Sequence, residues 1–334
     1  MNHVSATKVF AGLFLLFSAG PIASAQGPVQ ITRGPVGELG PIVSPDGRWL
    51  AIEYFTTEHP DDPEVWVMPR NGDFAAAKPL LNDTGMIYGE IAWSPNSAWL
   101  SFVGRPRVET RQPIAEIYKV NIYTKQIVQL THLGATMGGG TSWSSDGRIA
   151  FSMAGEIHVV SESGGAVTKL LDVRRKLGNI EAYFADWSPD STRLAFVGRE
   201  QGFDDFKPEL HGRNLYIADL RSGKISKLFS DVGADGPSWL DQAHVLVSHQ
   251  DSVTRASLWL VPVSTGKARR LTHGFYDAAP VARRPLGYLY FTRNADDTLQ
   301  IQRSFEAAQF AKGFHIWRQK FWFPPGRTHS GSVN

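Results

Sequence analysis

The chain has 334 residues, 42% of them hydrophobic, with a formal net charge of +2. That is enough apolar material for the core of one large domain or two ordinary ones, and the near balance of charge excludes the concentrated basic surface of a general nucleic-acid binder. The absence of cysteine excludes disulfides, zinc–thiolate sites, thiol catalysis and a lipid anchor on Cys. The first element in chain order is a targeting segment. Lys8 precedes an apolar run from Val9 to Ala19 that is short for a membrane span. Ala23-Ser24-Ala25 then gives the small-residue pattern that signal peptidase reads. Residues 1–25 are expected to be a signal peptide cleaved after Ala25. The mature protein, with no further apolar span, is expected outside the cytoplasm, in a Gram-negative cell in the periplasm.

The rest of the chain is built from repeats. SPDGRWLAIE begins at Ser44, WSPNSAWLSFVG at Trp93, WSSDGRIAFS at Trp143 and WSPDSTRLAFVG at Trp187. Weaker copies start at Trp239 and Ala282. The spacing is roughly forty to fifty residues, the length of a four-stranded propeller blade. In each copy Pro fixes φ, Asp or Asn accepts hydrogen bonds from its own turn and Gly tolerates positive φ, so a tight turn precedes an alternating strand. The Trp before the turn is expected to fill the space between neighbouring blades. A third-strand motif follows as EVWVM from Glu64, EIYKV from Glu116, EIHVV from Glu156, NLYIA from Asn214 and SLWLV from Ser257, with His158 replacing an aromatic. Fourth strands follow, such as IVQLTH from Ile127 and ARRLTH from Ala268. Inner turn strands number six but outer strands of this kind only five, and VQITRG from Val29 matches the missing one. The expectation is an all-β, six-bladed β-propeller over residues 28–303. The N-terminal strand would close its last blade, whose other strands end near Gln302; closure removes exposed sheet edges.

These W-S-P-D-G turns and the strands after them resemble the TolB-type, WD40-like propeller repeats of bacterial periplasmic proteins, over roughly residues 28–303. The α/β domain that precedes the TolB propeller has no room between Ala25 and Val29, which puts a Tol–Pal role in doubt. The repeats also resemble the propeller of prolyl-oligopeptidase-like enzymes, without a hydrolase domain after it. A fold of this kind hosts many unrelated activities, so function has to be read from the site.

No catalytic motif is present. The sequence has no G-x-S-x-G nucleophile elbow, no H-E-x-x-H, no P-loop and no dinucleotide G-x-G-x-x-G. Gly138-Gly139-Gly140 is read as room for a crowded innermost strand. His132 and His273 are read as repeat-derived turn positions. The connections between second and third strands carry the recognition reading, since long loops on a rigid scaffold bind partners. TTEHPDDP from Thr56, GRPRVETRQP from Gly104 and REQGFDDFKPELHG from Arg199 are long and charged, and their counterparts across the ring are short. The inner strands enter from the same face, which makes Glu38, Tyr88, Glu90, Asp235 and Asp277 candidate channel-mouth residues. Carboxylates converging there could hold Ca2+ through oxygens or a basic peptide segment; otherwise they are solvated or bonded to nearby backbone. Residues 304–334 are read as an appendage. Phe305, Phe310, Phe314, Trp317 and Phe321 at near-helical spacing suggest an amphipathic helix, and a disordered tail follows Pro324-Pro325-Gly326. Two functional classes remain open: a scaffold binding a periplasmic protein or peptide, or a propeller hydrolase, lyase or small-ligand (sugar) binder with its site at the channel mouth.

Overall fold

The computed structural model describes residues 27–58, 62–72, 74–81, 85–107, 114–134, 139–201, 212–233, 235–252, 255–282, 287–294 and 313–321. The expected signal peptide lies outside the described residues. So do most of the long loops and the tail after residue 321.

The described strands form five hydrogen-bonded sheets. After β1 (Val29–Gln30), the first sheet is β2 (Gly37–Val43), β3 (Trp49–Phe55), β4 (Glu64–Pro69) and β5 (Lys78–Pro79). The second is β6 (Met86–Trp93), β7 (Trp99–Pro106), β8 (Glu116–Asn121) and β9 (Ile127–Gln129). The third is β10 (Ser142–Trp143), β11 (Arg148–Met153), β12 (Glu156–Ser161) and β13 (Thr168–Leu171). The helix α1 (Val173–Leu177) leads into the fourth: β14 (Ile180–Trp187), β15 (Arg193–Glu200), β16 (Arg213–Asp219) and β17 (Ile225–Ser230). The fifth sheet has eight strands and divides into two antiparallel halves. One half is β18 (Ser238–Asp241), β19 (His244–Ser252), β20 (Arg255–Pro262) and β21 (Arg269–Arg270). The other runs β22 (Tyr276–Ala282), β23 (Tyr288–Asn294), β24 (Phe314–Lys320) and then β1. A single parallel pair, Ala256 with Tyr276, joins the halves. The arrangement is all-β and propeller-like.

Each repeat folds for the same local reasons. In the first turn Gly47 N–H donates to Ser44 O at 2.8 Å, Ser44 Oγ donates to Asp46 Oδ1 at 2.6 Å, and Trp49 N–H returns to Ser44 Oγ at 3.0 Å. Ser94 with Asn96 and Ser188 with Asp190 repeat the pattern, and Ser44, Ser94 and Ser188 are buried. The fourth turn residue has positive φ throughout: Gly47, Ser97, Gly147 and Ser191. The Trp residues fill the space between sheets as expected. Trp93 and Trp239 are buried and donate through Nε1 to Ile42 O and Asp186 O of the preceding sheet. In the third strands an aromatic stacks on the Phe of the second strand, Phe102 with Tyr118 at 5.5 Å and Phe196 with Tyr216 at 5.4 Å. His158 takes the same place against Phe151.

The core is divided into clusters between consecutive sheets or half-sheets. Ala51 and Val65 of the first sheet, for example, pack with Trp93 and Phe102 of the second. A further cluster joins Val281, Tyr290 and Ile316 of the final half-sheet to Val43, Leu50 and Ile52 of the first sheet. Burial of this kind supplies roughly 25 cal/mol per Å² of apolar surface removed from water.

The C-terminal segment corrects the sequence reading. Phe314–Lys320 is strand β24, not helix, pairing with β23 on one edge and β1 on the other. Phe314 and Ile316 point inward and are almost completely buried. Burial at every second residue has the period of a strand, whereas the apparent helical spacing borrowed Phe305 and Phe310, which lie outside the described residues. The partner of Val29 is accordingly Arg318, and not a strand ending near Gln302.

Candidate functional site

The ends of the innermost strands opposite the Pro-Asp-Gly turns lie on the same side as the second-to-third-strand connections. Those connections differ sharply in length. Residues 56–63, 107–115 and 201–212 link β3 to β4, β7 to β8 and β15 to β16, while two residues suffice between β11 and β12 and between β19 and β20. Residues 295–313 form a fourth long connection, between β23 and β24, of which the sequence reading placed the part from residue 304 outside the repeats.

The innermost strands share a bulge. Their ladders shift register between Leu39 and Ile42, Gly89 and Ala92, Tyr183 and Asp186, and Ala278 and Val281. Within each shift one residue has positive φ: Gly40, Glu90, Phe184 and Ala279. Left-handed backbone at Glu90, Phe184 and Ala279 is uncommon for residues with a Cβ, and local strain of this kind is worth noting at a candidate site. The bulge N–H groups are tied to the preceding sheet or half-sheet. Gly40 N–H donates to Thr292 Oγ1 at 3.2 Å, Glu90 N–H to Glu53 Oε1 at 2.6 Å, and Ala279 N–H to Asp235 Oδ2.

The five sequence candidates meet different fates. Glu38 is fully buried and accepts from Thr32 Oγ1 at 2.6 Å and Gly34 N–H at 2.5 Å, with His315 Nδ1 at 2.8 Å. Asp277 is fully buried in a two-pronged pair with Arg293, Nε to Oδ1 at 2.5 Å and Nη2 to Oδ2 at 2.8 Å. Tyr88 packs edge-on against Phe102 at 5.3 Å in the core between the first two sheets. Asp235 accepts from Ser248 Oγ as well as from Ala279, and burial raises its pKa. Glu90 stands beside Glu53; burial first, and the Glu53 charge second, push its carboxyl up to about 7. Burial raises Glu53 as well. The structure thus gives each of the five its own local partners. Among the described residues no group of three or more His, Asp or Glu is arranged to hold a metal ion.

Residues that the sequence reading passed over complete the picture. Glu53 is a charged residue inside the otherwise apolar strand WLAIEYF, and that interruption was its available signal. Tyr276, pushed up to about 12 by burial and then by Asp235, sits near Asp235 and Arg213. Phe184 lies against the glycines of its neighbours: a Cβ on Gly236 would fall 2.8 Å from Phe184 Cβ, and one on Gly139 2.7 Å from Phe184 N. On the outer part of the same face, Arg199 lies over the Tyr183 ring at 4.2 Å, and Tyr183 donates to Glu181 at 2.7 Å.

This architecture is that of a TolB-like β-propeller. TolB from Acinetobacter baumannii matches with a TM-score of 0.57 at 17% identity, over 72% of this chain and 55% of that one. Oligogalacturonate lyase from Vibrio parahaemolyticus matches with a TM-score of 0.56 at 13% identity, over 87% of this chain and 80% of that one. By sequence, the uncharacterized protein Atu1656 of Agrobacterium fabrum is 24% identical over 215 residues, 59% of this chain and 64% of its own. The chain spans less than two thirds of the length of the curated relatives it matches. No protein-family model matches it.

Proposed function

We propose that this protein is an exported, six-bladed propeller that binds a periplasmic protein or peptide on the face carrying the second-to-third-strand connections. The blade count takes the two halves of the eight-stranded sheet as separate blades, linked by the one pair Ala256–Tyr276. The packing of the last half-sheet on the first sheet, and the pairing of β1 with β24, support a ring closed by the N-terminal strand. Export rests on Lys8, the apolar run after it and Ala23-Ser24-Ala25. Among the described residues no helix is long and apolar enough to cross a membrane.

The observation that carries the binding reading is the contrast in connection length on one face of a rigid scaffold. Two residues suffice to join neighbouring strands, so connections several times longer are there for a reason other than chain reversal. The test is photo-crosslinking in cells with a photoreactive amino acid placed at Glu200, on the loop face, or at Asn96, in an exposed turn of the opposite face. The reading expects a discrete adduct from Glu200 and none from Asn96. Adducts from Asn96 alone, or equal ones from both faces, would reject it.

A further inference from the structure

A cavity of about 380 Å³ opens at the outer edge of the junction between the last half-sheet and the first sheet. Val29, Gln30, Ile31 and Arg33 line it from the N-terminal strand and the chain just after it, and Arg318 lines it from β24. Asn71, Gly72 and Phe74 close it from the connection between β4 and β5. The turn glycines show why there is space. A Cβ on Gly164 would meet Leu130 O of the preceding sheet at 3.3 Å, and one on Gly266 would meet Leu228 O at 2.9 Å. Gly72 holds the same turn position, and Ile31 the position of those leucines. Here, however, the Cβ would meet only side chains, Ile31 Cγ2 at 3.4 Å and Arg318 Nη1 at 3.8 Å. The two cations on the wall have no acid to neutralise them. Arg318 gives one N–H to Asn71 O at 2.9 Å and lies over the Tyr288 ring at 5.1 Å, while Arg33 is exposed. Among the described residues no carboxylate pairs with either. The remaining wall is apolar: Ile31 and Phe74 belong to the core of the junction, and Val29 is 51% exposed.

We propose that this cavity binds the C-terminal residue of a peptide, its carboxylate on Arg33 and Arg318 and its aliphatic side chain on Val29, Ile31 and Phe74. Guanidinium groups are planar forks that match the two oxygens of a carboxylate. A bare anion such as phosphate would satisfy the cations and leave the apolar wall unused. The carboxamides favour a peptide over a hydrocarbon acid. Gln30 Nε2 donates to Thr32 O at 2.8 Å, which leaves the Gln30 side-chain oxygen to accept from a peptide N–H. The volume lies in the range of small-ligand sites. A ligand held here touches β1 and β24 on one side and the first sheet on the other, so it bridges the junction and stabilises the folded chain by binding it. The cavity lies at the turn end of β4, away from the second-to-third-strand connections, and it stands or falls separately from the crosslinking result above.

The test is calorimetric titration and thermal melting of the whole mature protein with five probes: N-acetyl-alanyl-leucine, its C-terminal amide, N-acetyl-alanyl-glycine, octanoate and inorganic phosphate. The leucine acid is expected to bind, to raise the melting temperature and to weaken as salt is added. Its amide, which lacks the charge, is expected to bind at least about tenfold more weakly. The glycine acid, which lacks the side chain, is expected to bind at least about fivefold more weakly. Arg33→Gln and Arg318→Gln are each expected to weaken the leucine acid by about tenfold. The proposal is overturned if no peptide acid binds the wild-type protein, if the amide or the glycine acid binds as tightly as the leucine acid, or if both variants bind as the wild type does. Tighter binding of octanoate or phosphate than of the leucine acid also overturns it, in favour of a hydrocarbon acid or a simple anion. Arg33 is exposed, so its replacement leaves the junction core in place, and the probe comparison is read on the wild-type protein whatever becomes of Arg318→Gln.

Discussion

At the scale of single residues, the Glu90 carboxyl makes stability depend on pH in an unusual direction. Its pKa rises from 4.5 to about 7 in the fold, because burial and the neighbouring Glu53 both disfavour the charge. The folded chain therefore holds a proton that the unfolded chain has released, and stability falls as the pH climbs between those two values, then levels off. The swing amounts to about 2–3 kcal/mol. Urea unfolding at about pH 5 and about pH 8 is expected to show this loss in the wild type and to show it largely abolished in Glu90→Gln; equal slopes would mean that the carboxyl is not held up. At this scale the sequence was legible for charge but not for partnership. Glu38 and Asp277 read as mouth residues because acids precede the turn motifs. Of the groups that occupy them, Thr32 lies six residues before Glu38 and Arg293 faces Asp277 from the adjacent strand, while His315 comes from the far end of the chain. Glu53 escaped notice because a single acid in an apolar strand looks like ordinary alternation until the adjoining bulge turns its N–H toward it.

At the scale of strands, the repeated outer Thr explains why VQITRG belongs with IVQLTH and ARRLTH. Thr131 Oγ1 accepts from Ile117 N–H at 2.9 Å, Thr272 Oγ1 from Leu258 N–H at 3.1 Å, and Thr32 Oγ1 from Ile316 N–H at 2.8 Å. The hydroxyl substitutes for a ladder acceptor at the irregularity where each fourth strand leaves its sheet. Thr131 then donates to Glu116 of its own sheet, whereas Thr32 donates to Glu38, which the first sheet supplies. Thr32→Val removes the acceptor of a buried N–H and the donor to a buried carboxylate together. A loss of about 2–4 kcal/mol is expected, read from the urea midpoint at constant m-value; a change below about 0.5 kcal/mol would mean that the hydroxyl is dispensable. The match of Val29 was readable because local turn chemistry repeats. The third strand of the same half-sheet was readable too, and was missed: His315-Ile316-Trp317 is a sixth copy of Glu116-Ile117-Tyr118. Its neighbours Phe310 and Phe314 imposed a helical period on a segment whose inward residues alternate, and periodicity cannot separate the two readings over so short a run.

For the whole molecule, the question is whether the sheets act as one ring. Each sheet is too small to be stable alone, since a single four-stranded meander has two apolar faces and can bury them only against neighbours. The clusters between neighbours supply that burial, and in the proposed ring the one joining Val281, Tyr290 and Ile316 to Val43, Leu50 and Ile52 would remove the last open pair of faces. In the proposed ring, chain connectivity holds every other junction; this one is held by packing, by β1 and by hydrogen bonds that include Thr32–Glu38–His315, Gly40–Thr292 and Arg318–Asn71. A ring with one non-covalent seam should come apart there first, and the seam should govern the cooperativity of the whole. Deleting residues 28–33 strips Ile31 from the seam core, leaves Glu38 without its Thr32 donor and exposes an edge of β24. A fall in melting temperature on the order of 5–10 °C is expected, with a broadened transition as the last half-sheet separates before the rest. The intact protein should melt in a single step. If the shortened protein kept both its melting temperature and the sharpness of its transition, the junction between the last half-sheet and the first sheet would not be carrying the ring, and β1 would be an ornament on an assembly held together some other way.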